Sequence, residues 1–229
     1  MVVTGTTRGM GRAIAEYYAQ NGFTVLGCGR GESTLELPNY RHSRLDVGDE
    51  AQVQSWVNEI KQEFGKIDIL ICNAGSVQSA LLMSVTPSEV LNTFLRTHVV
   101  GSFFVCREVS KLMLKNKYGR ILTVSSLGVP MHLEGTAAYS ASKSAVVEMT
   151  KILAKELASA GITCNVLSPA LFKSEATLAF GSDWAESLIA KQTIKRYVTV
   201  EEICNVISFL ISPLSGPITG QVINMGFVN

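Results

Sequence analysis

Short apolar runs and longer amphipathic segments alternate along the chain, and this alternation constrains the fold more than any other feature. Val2-Val3 leads through a glycine-rich turn into a helical pattern over residues 12–20, with Gly22 as its C-cap. Residues 23–27 and 42–47 read as the second and third strands. The stretch between them, 31–38, is too short and too proline-broken for a crossover helix, so the second helix shrinks to a turn. Residues 49–64 are amphipathic, with Asp49 as cap and Gly65 as stop, and residues 67–72 follow as a strand. Thr86-Pro87-Ser88-Glu89 has the form of a capping box with proline at the first helical position, opening a long helix to about Asn116. Residues 121–124 form a short buried strand, and Thr199-Val200-Glu201-Glu202 repeats the capping box before a helix through Ile211. The expectation is an α/β fold: a single doubly wound Rossmann-type domain, its parallel sheet flanked by helices. Neither an internal repeat nor a low-complexity linker interrupts it.

With 229 residues the chain is long enough for a substantial core. Its 20 Lys and Arg nearly balance 19 Asp and Glu, and no basic block occurs, which argues against a nucleic-acid partner. No apolar run approaches the roughly 18 residues that span a bilayer, so no membrane partner is expected. The first residues already belong to the first strand, without a signal-peptide pattern. Cys28, Cys72, Cys106, Cys164 and Cys204 are scattered, odd in number and lack metal spacing; most sit in apolar patterns, as buried thiols do. A cytoplasmic location without a metal centre is expected.

Two constellations carry chemistry. Thr4-Gly5-Thr6-Thr7-Arg8-Gly9-Met10-Gly11 is a strand-to-helix turn in which backbone N–H groups and a helix N-terminus can approach a pyrophosphate. Its glycine spacing is wider than the usual dinucleotide fingerprint, so alone it also reads as an ordinary turn. The second is Ser126, Tyr139 and Lys143. Tyr139 and Lys143 are four apart, which puts a phenol and an ammonium on one helix face. A hydroxyl to bind a carbonyl oxygen, a phenol to protonate the developing alkoxide and a cation beside it are what carbonyl reduction needs. A neighbouring ammonium should hold the phenol below its free pKa of about 10. Tyr-x-x-x-Lys alone recurs on helix surfaces without function.

Together these residues resemble the short-chain dehydrogenase/reductase family over nearly the whole chain. Thr4 to Gly11 matches its glycine turn, Asn73-Ala74-Gly75 its Asn-Ala-Gly element, and Ser126, Tyr139 and Lys143 its Ser…Tyr-x-x-x-Lys set. Asn165-Val166 with Pro169-Ala170 stands where the family has Pro-Gly, and Ile218-Thr219-Gly220-Gln221 leads into its last strand. Within the family the sequence is most similar in look to 3-oxoacyl-(acyl-carrier-protein) reductases and other small NADP-dependent reductases. The resemblance implies a cofactor half at about 1–118 and a catalytic and substrate half at about 119–229, with a flap at about 171–197. It implies hydride transfer between NADP(H) and a small ketone or alcohol, possible substrates including a 3-oxoacyl thioester, with Tyr139 as acid/base. The alternative is an NADP-binding regulatory protein with weakened catalysis.

The cofactor contacts it implies are Gly5, Thr7, Arg8, Gly9, Met10 and Gly11 in the turn; Asp46 and Val47 at the adenine; Asn73, Ala74 and Gly75 on the adenosine side; and Tyr139 and Lys143 at the nicotinamide ribose. Pro169, Phe172 and Ser174 fall near the carboxamide. Asp46 also reads as a strand-end turn residue. NAD-preferring sites carry an acid about twenty residues beyond the glycine turn, where this chain has Gly29-Arg30. Arg8 and Arg30 could clamp a 2′-phosphate, which points to NADPH; the other reading leaves both merely solvated.

Three departures stand out. His98 replaces the Asn that the family uses in its fourth helix; it reads either as a catalytic relay titrating near pH 6.5 or as a structural residue. The ending Asn224-Met225-Gly226 replaces an acidic-Gly-Gly, leaving the local turn open. Lys115, Lys117 and Arg120 offer charge to an acyl carrier protein, but residues 159–161 do not. On the flap, Phe172, Leu178, Phe180, Trp184, Leu188 and Ile189 would line an apolar substrate pocket or simply pack the flap down, with Met131, His132 and Leu133 facing them. Val99, Phe103, Phe104, Val105, Val109 and Met113 spread around the fourth helix, and a homodimer or homotetramer is implied.

Overall fold

Strands buried on both faces must find partners on both edges, and here they do so in one parallel sheet. The computed structural model describes residues 1–77 and 80–228. In chain order its strands are β1 (Val2–Thr4), β2 (Val25–Gly29), β3 (Tyr40–Arg44), β4 (Ile69–Cys72), β5 (Gly119–Val124), β6 (Ile162–Ser168) and β7 (Val222–Asn224). They lie in the order β3-β2-β1-β4-β5-β6-β7 with every pairing parallel. The order reverses between β1 and β4, and a doubly wound sheet opens its ligand crevice at the carboxyl ends of strands flanking such a reversal.

The helices are α1 (Gly9–Gln20), α2 (Glu50–Phe64), α3 (Ser88–Phe94), α4 (Gly101–Asn116), α5 (Gly128–Met131), α6 (Ala137–Leu157), α7 (Glu175–Leu178), α8 (Ser182–Lys191) and α9 (Val200–Ile211). They cover both faces. Val53, Trp56 and Ile60 of α2 join Val105, Val109 and Met113 of α4 in one core cluster. Ile14 and Tyr18 of α1 meet Ile203, Ile207 and Leu210 of α9 in the other. Tyr18 finds a polar partner even there, donating to the Cys204 carbonyl at 3.0 Å. No helix among the described residues is long and apolar enough to cross a membrane.

Most expected elements are present, with informative displacements. β2 starts two residues late because Phe23 and Thr24 complete the turn behind α1, where Phe23 N–H donates to Tyr18 O at 3.0 Å and Gly22 takes a φ of +84°. β3 is Tyr40–Arg44 rather than 42–47: the edge strand is polar, while the apolar Leu45 and Val47 pack into the core from the loop beyond it. Residues 31–39 contain no helix. The capping box at Thr86 does not form. Pro87 is the N-cap, and the Thr86 hydroxyl instead donates back to Leu82 O at 3.0 Å, closing a 3-10 turn over Met83–Val85. The long helix does reach Asn116, but through a π-helical turn at Leu95–Val100 that separates α3 from α4. On α4, Val105, Val109 and Met113 are spent on the chain's own core, and Phe103 is half exposed.

The altered C-terminal ending still makes its turn. Gly226 has a φ of +78°, and its carbonyl accepts from Thr193 N at 3.0 Å and Ile194 N at 3.1 Å, joining the end of the sheet to the flap. The second capping box is complete: Thr199 Oγ1 accepts from Glu202 N at 3.3 Å, and Glu202 Oε2 accepts from Thr199 N at 2.9 Å. Thr199→Ala should lower the unfolding free energy by about 1 kcal/mol, seen as a lower urea midpoint with an unchanged slope.

Candidate active site

The glycine turn is built by contact with the Asn-Ala-Gly segment across the β1–β4 gap. Thr4 Oγ1 accepts from Asn73 N (3.1 Å) and Ala74 N (2.9 Å), and Asn73 Nδ2 donates to Thr4 O at 3.0 Å. The Asn73 side chain therefore braces the turn. Gly11 packs so closely that a Cβ there would lie 2.2 Å from Asn73 Nδ2 and 2.3 Å from Gly5 O. Any side chain would push α1 away from β1. Arg8 is the N-cap of α1 and gives it no side-chain hydrogen bond, so the first-turn N–H groups of the helix point into the cleft without a capping partner.

A single cleft of about 910 Å³ runs along the carboxyl edge of the sheet. Gly5, Thr7, Arg8, Gly9, Met10 and Gly11 line one end, with Arg30, Asp46 and Val47 beside them. Asn73, Ala74 and Gly75 form the middle, and Ser126, Tyr139, Lys143, Pro169, Phe172 and Ser174 line the other end. Arg8 and Arg30 are exposed, and among the described residues neither takes part in a salt bridge. Asp46 behaves as a turn residue as well: its carboxylate accepts from Gly48 N at 2.9 Å and from Arg96 Nη2 at 3.3 Å. The hydroxyls of Ser76 and Ser125, on the cleft wall, are buried without a hydrogen-bond partner among the described residues.

β5 delivers Ser126 two residues past its end, where the hydroxyl accepts from Gly128 N at 3.1 Å. α6 carries Tyr139 and Lys143 on one face. Lys143 is buried, and its Nζ donates to the carbonyl of Val124, the last residue of β5, at 2.8 Å. Burial lowers the Lys143 ammonium to about 8, with Cys72 acting in the opposite direction. Burial raises the Tyr139 phenol above its ordinary value, and the Ser126 hydroxyl pulls the other way. The expectation that Lys143 would hold the phenol below 10 is thus reversed. Desolvation dominates both groups, and the ammonium that should act on the phenol is itself driven toward neutrality.

Of the candidate catalytic and cofactor residues, His98 is the one outside the cleft lining. The π-helical turn, a distortion concentrated at functional sites, aims it at the back of α6. Its Nε2 accepts from Ser76 N at 3.0 Å, and its Nδ1–H donates to Ser142 Oγ at 2.8 Å, while that hydroxyl donates to Tyr139 O at 2.6 Å. Burial first, and then the Lys143 charge, lower the imidazole to about 3, so titration near pH 6.5 does not occur. Both ring nitrogens are occupied by neighbours in the fold. His98 ties the β4 loop to α6 as a neutral strut.

Residues that sequence reasoning missed complete the walls. Phe94 is buried, stacks on His98 at 5.3 Å and meets Tyr139 edge-on at 5.5 Å. Leu81 and Val90, also unmarked in the sequence, join the expected Met131, Leu133, Phe180, Trp184 and Leu188 in an apolar end, with Phe180 and Trp184 ring centroids 4.7 Å apart. His132 and Leu178 are exposed, and neither they nor Ile189 line the cleft. Gln192, unmarked in the sequence, is buried under the flap; it accepts from Leu171 N at 2.9 Å and donates to Ile194 O at 3.0 Å and Arg196 O at 2.9 Å, clasping both ends of the flap.

Residues 5–226 match the family described as Enoyl-(Acyl carrier protein) reductase. The chain is 34% identical over 230 residues to the 3-oxoacyl-[acyl-carrier-protein] reductase FabG of Escherichia coli (strain K12), covering 98% of this chain and 94% of that one. It is 32% identical, with the same coverage, to the enzyme of that name from Vibrio cholerae serotype O1. Among solved structures it is similar to ElxO with NADP bound, at a TM-score of 0.90 and 28% identity over 97% of this chain and 95% of that one. An ElxO variant with NADPH bound superimposes equally well.

The depressed His98 pKa has a sign. Its contribution to stability is present in full above pH 6.5, erodes as pH falls below that value and is gone once pH has passed through about 3. His98→Asn should therefore flatten the pH dependence of unfolding between pH 6 and 3, roughly as one fewer proton bound on unfolding there. Urea titrations of both proteins at several pH values would read it; parallel curves would contradict it.

Proposed function

The chain belongs to the short-chain dehydrogenase/reductase family, and on that premise we propose that it is an NADPH-dependent reductase of apolar ketones with Tyr139 as proton donor. The observation that carries the reading is the convergence of Ser126, Tyr139 and Lys143 with the glycine turn in one cleft. The site fits a phosphorylated dinucleotide. The α1 N-terminus lacks a side-chain cap, Gly11 leaves room for close approach, two cleft hydroxyls lack partners, and Arg8 and Arg30 stand unpaired among the described residues. In this reading Gly5, Thr7, Gly9, Met10 and Gly11 hold the pyrophosphate and Arg8 with Arg30 the 2′-phosphate. Asp46 and Val47 meet the adenine, Ala74 and Gly75 the adenosine, Lys143 the nicotinamide ribose, and Pro169, Phe172 and Ser174 the carboxamide.

Bound NADPH supplies a hydride to the carbonyl carbon. Ser126 donates a hydrogen bond to the carbonyl oxygen, and Tyr139 transfers its phenolic proton to that oxygen as negative charge develops. A phenol whose pKa burial has raised is fully protonated at neutral pH, the form that reduction requires. The substrate end, walled by Phe94, Phe180, Trp184 and Leu188, suits an apolar ketone or a 3-oxoacyl thioester.

An acyl carrier protein has less to hold. Arg120 is buried over the Tyr118 ring at 4.6 Å and donates to Gly119 O at 2.9 Å, while Lys115 and Lys117 lie beside the start of β5, at the edge opposite the cleft. A homo-oligomer through α4 and α6 would cover Phe103, Leu114 and Ile152, all exposed there. The second reading, an NADP-binding regulatory protein, draws on His98, whose occupied nitrogens leave no free site for relaying protons.

Tyr139→Phe should reduce turnover of a 3-oxoacyl thioester or cyclic ketone about 10²- to 10⁴-fold while leaving NADPH binding intact. Undiminished turnover would overturn the role of Tyr139, and a wild type that binds NADPH but reduces nothing in the panel would favour the regulatory reading. Arg30→Asp should lower the NADPH:NADH ratio of kcat/KM on the order of 100-fold, the scale of a lost charge-assisted hydrogen bond plus a new repulsion.

A further inference from the structure

The segment that carries Arg30 does not hold itself in place. Residues 30–31 leave the end of β2 exposed, and β3 fixes their two consecutive carbonyls. Arg44 Nε donates to Arg30 O at 3.0 Å. His42 Nε2 lies 2.9 Å from Gly31 O, and because a carbonyl can only accept, that nitrogen carries the proton. The other face of the imidazole is set by hydroxyls: His42 Nδ1 is 3.0 Å from Tyr40 Oη and 3.2 Å from Thr6 Oγ1, and Tyr40 Oη is 2.8 Å from Thr6 Oγ1. Thr6 is fully buried beside the glycine turn. Glycines in β2 make this possible, since a Cβ on Gly27 would lie 2.4 Å from Thr6 Oγ1 and 2.6 Å from Tyr40 Oη.

A continuous hydrogen-bonded path thus runs from the glycine turn, through Thr6, Tyr40 and His42, to the Gly31–Glu32 peptide, one residue beyond Arg30. We propose that His42 is a specificity-determining positioning residue: by holding the Gly31–Glu32 peptide, one residue beyond Arg30, it fixes the course of the segment that presents the Arg30 guanidinium to the cofactor's 2′-phosphate. The inference rests on the reading of the cleft as an NADPH site. His42 touches neither substrate nor the reacting atoms. Its loss should therefore cost recognition of the phosphate and spare the chemistry. Arg44 supports the neighbouring carbonyl, and among the described residues its side chain is otherwise committed only to an exposed contact with Glu32 at 3.4 Å.

The test compares binding of adenosine 2′,5′-bisphosphate with that of 5′-AMP by calorimetry, in the wild type, His42→Leu and His42→Gln. His42→Leu should weaken adenosine 2′,5′-bisphosphate about fivefold, the scale of one hydrogen bond, and leave 5′-AMP unchanged. The KM for NADPH should rise by a similar factor while kcat holds. His42→Gln, whose amide can still donate toward Gly31 O, should recover most of the loss. If His42→Leu does not fold, His42→Asn, polar but too short to reach that carbonyl, carries the same expectation. A wild type that does not discriminate the two nucleotides would overturn the NADPH assignment and this inference with it. A discriminating wild type whose His42 variants weaken both nucleotides equally, or neither, would overturn the inference alone.

Discussion

The reciprocal hydrogen bonds between Thr4 and Asn73 are the joint on which the cleft is built. β1 and β4 are neighbours in the sheet, yet the chains leaving them must diverge to opposite faces. Backbone groups at such a fork lose their ladder partners, and each buried group left unpaired costs about 1–3 kcal/mol. The Thr4 hydroxyl and the Asn73 amide satisfy them with side chains. That exchange sets how far apart the turn and the loop stand, and Gly11 lets α1 start immediately behind them.

Away from this joint, desolvation governs the electrostatics. Tyr139, Lys143 and His98 lie within one aromatic and aliphatic enclosure, and burial is the largest influence on each. It pushes all three toward their uncharged forms. The arginines at the other end of the cleft are exposed. One cavity therefore holds two dielectric environments, a wet end with exposed arginines and a dry end around Tyr139, Lys143 and His98.

What the sequence made legible follows the same division. β4 is buried on both faces, so it appears as an unbroken apolar run that needs no context to find. The glycine turn and the Ser126, Tyr139 and Lys143 set were legible because their spacing is local. The polar edge strand β3 was misplaced because its side chains do not alternate and the apolar residues that drew attention, Leu45 and Val47, lie after it. Thr86 had the right residues for a cap but nearer carbonyls to donate to. The state of His98 was illegible for a different reason: its two partners, Ser76 and Ser142, come from separate elements and say nothing by their spacing.

The π-helical turn between α3 and α4 has a consequence for how this chain can vary in length. Such a turn holds one residue more than the regular helix, so the residues on its two sides are out of register by one position. On one side Phe94 must face Tyr139; on the other Gly101 must face Val47, where a Cβ would come within 2.6 Å of the valine methyl. Deleting one residue from 95–100 would restore a regular hydrogen-bond ladder, yet it would rotate one side against the other by about 100°. Either Phe94 would leave the cleft or a residue with a side chain would meet Val47. The irregular turn is the spacer that lets a single rod satisfy two unrelated surfaces, and the length of this segment is therefore fixed to the residue.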